Sequence, residues 1–441
     1  MRPCPALPTV IRGAAIAKPS PLPSEVDLAI VGAGVAGLAA ARTARAGGLS
    51  VALLEAQDRV GGRAFTDTLA PGGQTPPLPW DRGCHWLHQA RENPFTALAD
   101  RLGFRYRTDG YPTRIWLGDR WADDGELAER TRAGERAEQA VAAAAAAGQD
   151  IAMADAIPDL GRWSGVHRQF LRNVTGEDPS ANSTLDDQRY DETGDNWPVE
   201  AGFGALVAAW AADVEVMTGT PVHRIDRRGR ALRLETPNGT VRATAAILTP
   251  STDVLLSGAL RLDPAMPGDL AEALAGVPLG AANKVALAFD RDVFGLEHAT
   301  AVHQPDAPDG CNFQIRPFAR NMAIAHAGGP LARALEQAGP EEMTAFARDQ
   351  LTAMFGGKVQ RHLRASATTA WGRDPWIRGG YSVCRPGRAH DRERLLQAVE
   401  DRIWLAGEAC SLSAFGTVGG AHDSGVAAGR RAIARLQAGD P

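Results

Sequence analysis

Residues 25–38 read EVDLAIVGAGVAGL, and the next apolar run, residues 49–54, ends on Glu55. EVDLAIV has the make-up of a buried strand, Gly32, Gly34 and Gly37 form a glycine loop, and residues 38–46 carry a helical pattern that Gly47 and Gly48 can cap. Strand, glycine loop, helix and a second strand closing on an acid together make the fingerprint of a dinucleotide-binding unit. The three glycines serve different ends. One permits the tight turn, one lets the backbone approach a pyrophosphate, and one lets the helix pack on the strand. The helix N-terminus offers amides and a favourable dipole to phosphates, and Glu55 accepts hydrogen bonds from a ribose. The motif by itself suits NAD as well as FAD.

The rest of the chain is globular in composition. Its 441 residues suggest two or three structural units, enough to bury sizeable cores. With 47 basic against 52 acidic residues and no basic tract, a general nucleic-acid surface is not expected. Cys4, Cys84, Cys311, Cys384 and Cys410 are widely spaced and form no CxxC pair, so neither a disulfide framework nor a zinc site is indicated, and reduced thiols in a cytoplasm are expected. The first two dozen residues are rich in proline and alanine and read as a tail. No apolar run of membrane-spanning length occurs, so a soluble protein without a membrane partner is expected.

Beyond Glu55, AQDRVGGRAFT (residues 56–66) reads as a loop, and a proline- and glycine-rich connection (68–80) leads into DRGCHWLHQ (81–89). From residue 93 to about 188 the pattern is helical and includes the alanine run 140–148, read as a solvent-side or lid helix without chemistry of its own. VHRID, ALRLET and TVRATAAIL (between 222 and 248) read as an antiparallel meander with a tight turn at Asn238-Gly239. LGAANKVALAFD (279–290) is a strand with Lys284 in its apolar middle, and residues 331–355 return to helix. Finally IWLAGE (403–408) is a buried strand and residues 419–436 a helix with basic residues toward its C-terminus.

Lys284 stands out, because an ammonium inside an apolar strand must find a partner, lose its proton, or be carried to the surface on its long stem. His85 and His88 stand three apart and could share a helix face, but no carboxylate or cysteine pattern completes a metal site. Trp371, Trp376 and Tyr381 are candidates either for core packing or for an aromatic wall that attracts a cation and excludes water.

In order and spacing, GAGVAGL with Glu55, DRVGGR, GCHWLH, NKVALAFD, WGRDPWIRGGYS (371–382) and LAGEACSLSAFGTVGGAHDSG (405–425) resemble the flavin-containing amine oxidases. That family includes monoamine oxidases, polyamine oxidases and flavin-dependent histone lysine demethylases. The likeness runs from about residue 25 to 436 and is weak in the tail and between 101 and 195, the segment where substrate choice is usually set. It implies an α/β fold: a Rossmann-type FAD-binding domain built from residues 24–85, 198–278 and 400–441, with a mixed α+β substrate-binding domain, 86–197 and 279–399, that includes a helical subdomain. Residues 1–23 remain a tail.

The resemblance implies extended, noncovalent FAD held by Gly32, Gly34, Gly37, Glu55, Gly62, Arg63, the Val222 backbone, Trp371 and Glu408. Tyr381 stands where monoamine oxidases carry the cysteine that bonds the flavin. A helix starting at Thr417 and Val418 would aim its amides at the pyrimidine edge of the flavin, where negative charge develops. Lys284 would hold a water against flavin N5, His88 would line a polyamine tunnel, and Trp376 and Tyr381 would wall the amine site. Ala414, with Phe415 beside it, replaces the usual aromatic before the last helix, which suggests a reshaped pocket.

The expected reaction is FAD-dependent oxidation of an amine, with hydride passing from the carbon alpha to nitrogen to flavin N5. Imine, then aldehyde or ketone, and hydrogen peroxide result, with dioxygen as acceptor and a di- or polyamine as the favoured substrate. An L-amino-acid oxidase, with Arg316 or Arg378 at the substrate carboxylate, and a flavin desaturase or dehydrogenase using another acceptor are the alternatives.

Overall fold

The computed structural model describes residues 22–72, 76–303 and 309–438. The expected tail lies outside them except for Leu22 and Pro23, and Cys4 lies outside as well.

The opening strand, Glu25–Val31, is second from the edge of a seven-stranded sheet. It runs parallel to Val51–Leu54 on one side and to Gly239–Leu248 on the other, and Ile403–Leu405 runs parallel to Gly239–Leu248. Arg224–Asp226, Leu232–Thr236 and Arg261–Asp263 extend the sheet through the expected meander. Both faces are buried, which is why these strands read as continuous apolar runs. Leu28, Ile30, Leu53 and Ile247 pack toward the helices, while Ala29, Val31, Leu54 and Leu248 pack into a second core.

The first helix is Val35–Ala46, three residues longer at its start than the periodicity predicts, because the glycine loop supplies its first turn and Gly34 its N-cap. Gly37 therefore sits within the helix, where a Cβ would come 1.9 Å from the Gly32 carbonyl oxygen. The second strand begins at Val51, not at residue 49, since Leu49 is used to close the helix onto the Ala44 carbonyl. The last helix, Val418–Gln437, lies alongside Val35–Ala46 in the same direction. Its Gly425 abuts Ala36, Gly429 abuts Ala40 and Thr43, and Ile433 reaches Gly47. This small-residue seam carries the end of the chain back onto its beginning.

A six-stranded sheet runs in the order Leu363–Thr368, Ala282–Phe289, Met322–Gly328, Asn312–Ile315, Ala299–His303, Thr113–Trp116. Its neighbours are antiparallel except for the last pair. Alternation sends Val285, Leu287, Phe313, Ile315 and Ala325 into a core with helices Gly329–Ala338 and Pro340–Phe355. The opposite face, carrying Lys284, looks toward helices Asp124–Ala146 and Ser164–Thr175, which meet Ile115 and Val302 at its far end. The molecule is thus a Rossmann-type α/β unit assembled from separated pieces of chain, joined to a mixed sheet-and-helix unit with a helical insert.

Two local expectations change. The alanine run belongs to Asp124–Ala146, started by a capping box of Asp123 and Glu126, and buries Ala133, Ala137, Val141 and Ala144, so one of its faces is turned inward. His85 and His88 flank a two-residue strand, Trp86–Leu87, paired with Trp197–Pro198, and share no helix. Among the described residues no helix is long and apolar enough to cross a membrane.

Candidate functional site

One cavity of about 1330 Å³ runs from the glycine loop to the face of the six-stranded sheet beneath the helical insert. This exceeds the ~300–1,000 Å³ of an ordinary small-molecule pocket and has room for a dinucleotide together with a second molecule.

At one end Gly32, Gly34, Glu55, Gly62, Arg63 and Val222 line the wall. The Glu55 carboxylate accepts from the amides of Ala33 (2.6 Å) and Gln57 (2.8 Å). Burial pushes its carboxyl upward against the pull of those amides and of Arg59. Gly34 is the informative glycine. Its φ of −67° suits any residue, and a Cβ there would meet no atom within 4 Å. The protein's own packing does not require glycine at this point, whereas a pyrophosphate drawn up to the backbone does. Gly37 does not line the cavity; its work is helix packing. These residues fit a dinucleotide.

Midway, Arg63 donates from Nη1 to the Gly380 carbonyl (2.6 Å) and to Glu408 (2.8 Å). Glu408 also accepts from the Ser382 hydroxyl (2.7 Å) and the Gly416 amide (2.8 Å). Burial alone would raise the Glu408 carboxyl, but Arg63, Ser382 and Arg392 together hold it below the usual range. Arg392, which no sequence signal marks, is fully buried, pairs with Asp186 at 2.8 Å, and stacks its guanidinium 4.1 Å from the centre of the Phe415 ring.

Lys284 stands at the reacting end, 9% exposed, with Nζ donating to the carbonyls of Asp81 (3.0 Å) and Gly83 (2.6 Å). Burial pulls its pKa down to about 8 in spite of Asp81 nearby. An ammonium has three donors, so one is left for the cavity. His85 donates from Nδ1 to the Asp81 carboxylate (2.9 Å), and burial keeps its imidazole below the ordinary range, hence neutral. Trp371 donates from Nε1 to the Arg82 carbonyl (3.2 Å) beside this cluster. Tyr381 lines the cavity and donates its hydroxyl to the Asn173 carbonyl. His88 lines the cavity with Nδ1 against the Asn196 amide oxygen, and burial lowers its pKa. Thr417 caps the last helix, accepting from the Gly420 amide (2.9 Å), and Gly416, Thr417 and Val418 face the cavity.

Three expectations change at the site. Trp376 is 37% exposed and follows Asp374, whose carboxylate accepts from Gln57 (2.8 Å), so it sits at the Glu55 end and not at the amine site. Phe415, not Ala414, reaches the cavity, edge-on to Tyr190 with centroids 5.3 Å apart, so an aromatic is present where the sequence suggests a gap. Arg316 is engaged by Asp292 and Glu297, Arg378 is exposed, and neither lines the cavity, which leaves the amino-acid reading without the carboxylate partners proposed for it. Asp81, Trp86, Tyr190 and His326 also belong to the site or its support. None of them stands out in the sequence. Among the described residues no group of three or more His, Cys, Asp or Glu could hold a metal.

A model of the family described as flavin-containing amine oxidoreductase matches residues 35–433. Polyamine oxidase 2 of Arabidopsis thaliana is 26% identical over 433 residues, covering 90% of this chain and 86% of that protein. Lysine-specific histone demethylase 1 homolog 1 of Oryza sativa subsp. japonica is 28% identical over 450 residues, covering 92% of this chain and 52% of that one. Among solved structures, cyclohexylamine oxidase from Brevibacterium oxydans IH-35A superposes with a TM-score of 0.75 at 21% identity, over 93% of this chain and 99% of its own. A putrescine oxidase redesigned in its cofactor binding gives 0.75 at 20% identity with the same coverage. At these identities the structural likeness is one of fold.

Proposed function

The chain belongs to the flavin-containing amine oxidoreductases, and from that premise we propose that this FAD-dependent amine oxidase acts on a di- or polyamine, holds its FAD without a covalent bond, and passes electrons to dioxygen. The observation that carries the reading is the continuity of one cavity from the open backbone at Gly34 to the buried ammonium of Lys284. Bound FAD supplies the two-electron acceptor for oxidation of the carbon next to nitrogen. The residues supply placement. Lys284, tied to two carbonyls, presents its remaining N–H at a fixed point, and Trp86, Tyr190, Tyr381 and Phe415 wall the space around it against water. The Thr417 N-cap orients the amides and dipole of the last helix toward the same space, a positive end suited to accumulating negative charge.

The charge of the cavity mouth supports a cationic substrate. Glu138, Asp191 and Glu192 are exposed lining residues, and Asp187 sits half-buried among them, against a single lining cation on that side, Arg130. Such a rim concentrates ammonium-bearing molecules. Burial, with Asp186 and Glu138 adding to it, raises the Asp187 carboxyl to about 6, the condition of an acid that gains from a cation.

The test is an anaerobic screen of the holoprotein against monoamines, diamines, polyamines and L-amino acids, following the flavin band and then admitting oxygen. Di- and polyamines should bleach it fastest, and oxygen should restore it with release of peroxide. If no amine bleaches the band, the reading is wrong; bleaching without recovery in oxygen would remove dioxygen as acceptor.

A further inference from the structure

Arg392 is the largest fully buried side chain among the described residues, and it stands just behind the cavity wall. It belongs to the short helix Asp391–Arg394, and its guanidinium reaches well beyond that helix. Nε and Nη2 each donate to one oxygen of the Asp186 carboxylate, both at 2.8 Å, in a two-pronged pair. Nη1 donates to the Ser382 hydroxyl (2.9 Å) and to the Ala409 carbonyl (3.1 Å). The edge of the guanidinium is thus committed to polar partners, which leaves its flat faces. One of them lies on Phe415, 4.1 Å from the centre of the ring.

A buried ion pair adds little net stability over apolar side chains of the same volume, because desolvation offsets the attraction. Stability therefore does not account for a guanidinium at this place, whereas the parts it joins do. Asp186 lies on the helix Thr184–Asp187 of the helical insert, which leads into Tyr190, and Tyr190 meets the Phe415 ring edge-to-face. The Ser382 hydroxyl donates in turn to Glu408 Oε2 (2.7 Å), and the same oxygen accepts from the amide of Gly416 (2.8 Å), the residue after Phe415. Phe415 itself is half-buried in the irregular stretch 411–416, where no helix or strand fixes its ring. One guanidinium therefore backs the ring, anchors the helix that carries its edge contact, and ends the hydrogen-bond chain that ties down its backbone. Asp186, Tyr190, Ser382, Phe415 and Gly416 all line the cavity, and Arg392 does not.

We propose that Arg392 is a positioning residue for the amine substrate: it sets the Phe415 ring in place against the bound amine without touching the amine itself. With the guanidinium on one face and Tyr190 at its side, the ring keeps its remaining surface for the cavity. Fixed there, it gives the alkyl chain of the amine an apolar wall and keeps water from the carbon that is oxidised. A lysine at the same position would keep the charge but not the arrangement. Its single ammonium has neither the planar fork that grips both oxygens of Asp186 nor the flat face that lies on the ring.

The inference rests on the amine-oxidase reading and deepens it. The test is a double-mutant cycle of Arg392→Lys and Phe415→Leu on the holoenzyme, with hexylamine, putrescine and spermidine as probes. Anaerobic stopped-flow traces give the apparent dissociation constant of the amine and the limiting rate of flavin reduction separately. Arg392→Lys should weaken amine binding about fivefold or more, the effect of one well-placed aromatic contact, with FAD content unchanged. The limiting rate should stay within about twofold. In the Phe415→Leu background the lysine should add nothing, because the ring it misplaces is gone. Unchanged amine binding in a FAD-loaded Arg392→Lys overturns the proposal, as does a lysine effect that persists in full without the ring. A loss confined to the limiting rate overturns it too, since it places the action of Arg392 at Glu408 and the flavin. Should Arg392→Lys fail to hold FAD, the pair Arg392→Met with Asp186→Asn removes both buried charges together and enters the same cycle under the same criteria. If none of the three amines bleaches the flavin of the unsubstituted protein, the amine-oxidase reading itself fails and the proposal falls with it.

Discussion

Lys284→Met separates the cost of burying a cation from its use. The pKa of Lys284 moves from 10.5 to about 8 on burial. That is about 2.5 units, and at 1.36 kcal/mol per unit it costs the folded state about 3 kcal/mol wherever the lysine is charged in both states. The sign follows. Between pH 8 and 10.5 the unfolded chain holds a proton that the native protein has lost, so stability rises with pH across that window. Below the window the penalty is present in full; above it, gone. Methionine carries no such term. It does leave the Asp81 and Gly83 carbonyls without their donor, a loss of about 1–3 kcal/mol that does not depend on pH. The difference in unfolding free energy, variant minus unsubstituted, should therefore fall by roughly 2–3 kcal/mol between pH 7 and pH 10. Urea unfolding of the FAD-loaded proteins across that range measures it. A difference that stays flat would falsify the buried-ammonium assignment. In parallel, stopped-flow traces should show slower flavin reduction or reoxidation with FAD retained, and unchanged rates would leave Lys284 a structural residue only.

Two further outcomes are expected. Gly34→Ala introduces a Cβ that meets no protein atom within 4 Å at an ordinary φ, so the chain should fold with unchanged or slightly raised stability of the FAD-free form while FAD content after purification falls; full FAD occupancy would show that nothing approaches that backbone. Asp187, raised to about 6, is charged above that pH and neutral below it, so the apparent affinity for a diamine should weaken as pH falls through 6, whereas Asp187→Asn should bind diamines weakly at every pH. Superimposable KM–pH curves for the two proteins would remove Asp187 from substrate binding.

The first strand, the glycine loop and the returning last helix are legible in the sequence because their signals are local: a run buried on both faces, glycines where a Cβ collides, and a turn at Asn238-Gly239. The helical insert is less so. Alanine at every position of residues 142–147 gives the run high helix propensity and no apolar stripe, so periodicity cannot show which face turns inward. Packing decides it: Ala133 and Ala137 meet the sheet at Ile115 and Val302, and Val141 meets Met153 and Leu171. The row from Lys284 through His326 to Asn312 is invisible for a related reason. His326 and Asn312 are ordinary polar positions in their own strands, and only the pairing of separate strands sets them beside Lys284.

Asp81 shows most sharply where a single sequence stops informing. It follows a proline-rich connection and belongs to no motif, yet its carboxylate accepts from the Thr66 hydroxyl, from His85 and from the amides of Phe203 and Gly204. Those two amides open the helix Phe203–Trp210, whose own N-cap, Gly202, has no side chain to offer them, so the cap comes from more than a hundred residues earlier. The same residue's carbonyl holds the Lys284 ammonium. One aspartate thus fixes the start of a helix in the nucleotide unit, the tautomer of a cavity histidine, and the position of the cation on the sheet floor. Lysine in an apolar strand announces itself by its cost, whereas the group that makes that cost bearable is recognisable only once three distant segments have met. The position of Lys284 relative to the flavin is therefore set by Asp81 as much as by the strand that carries the lysine, and through Asp81 the two units of the molecule are held in one register at the point where their ligands would meet.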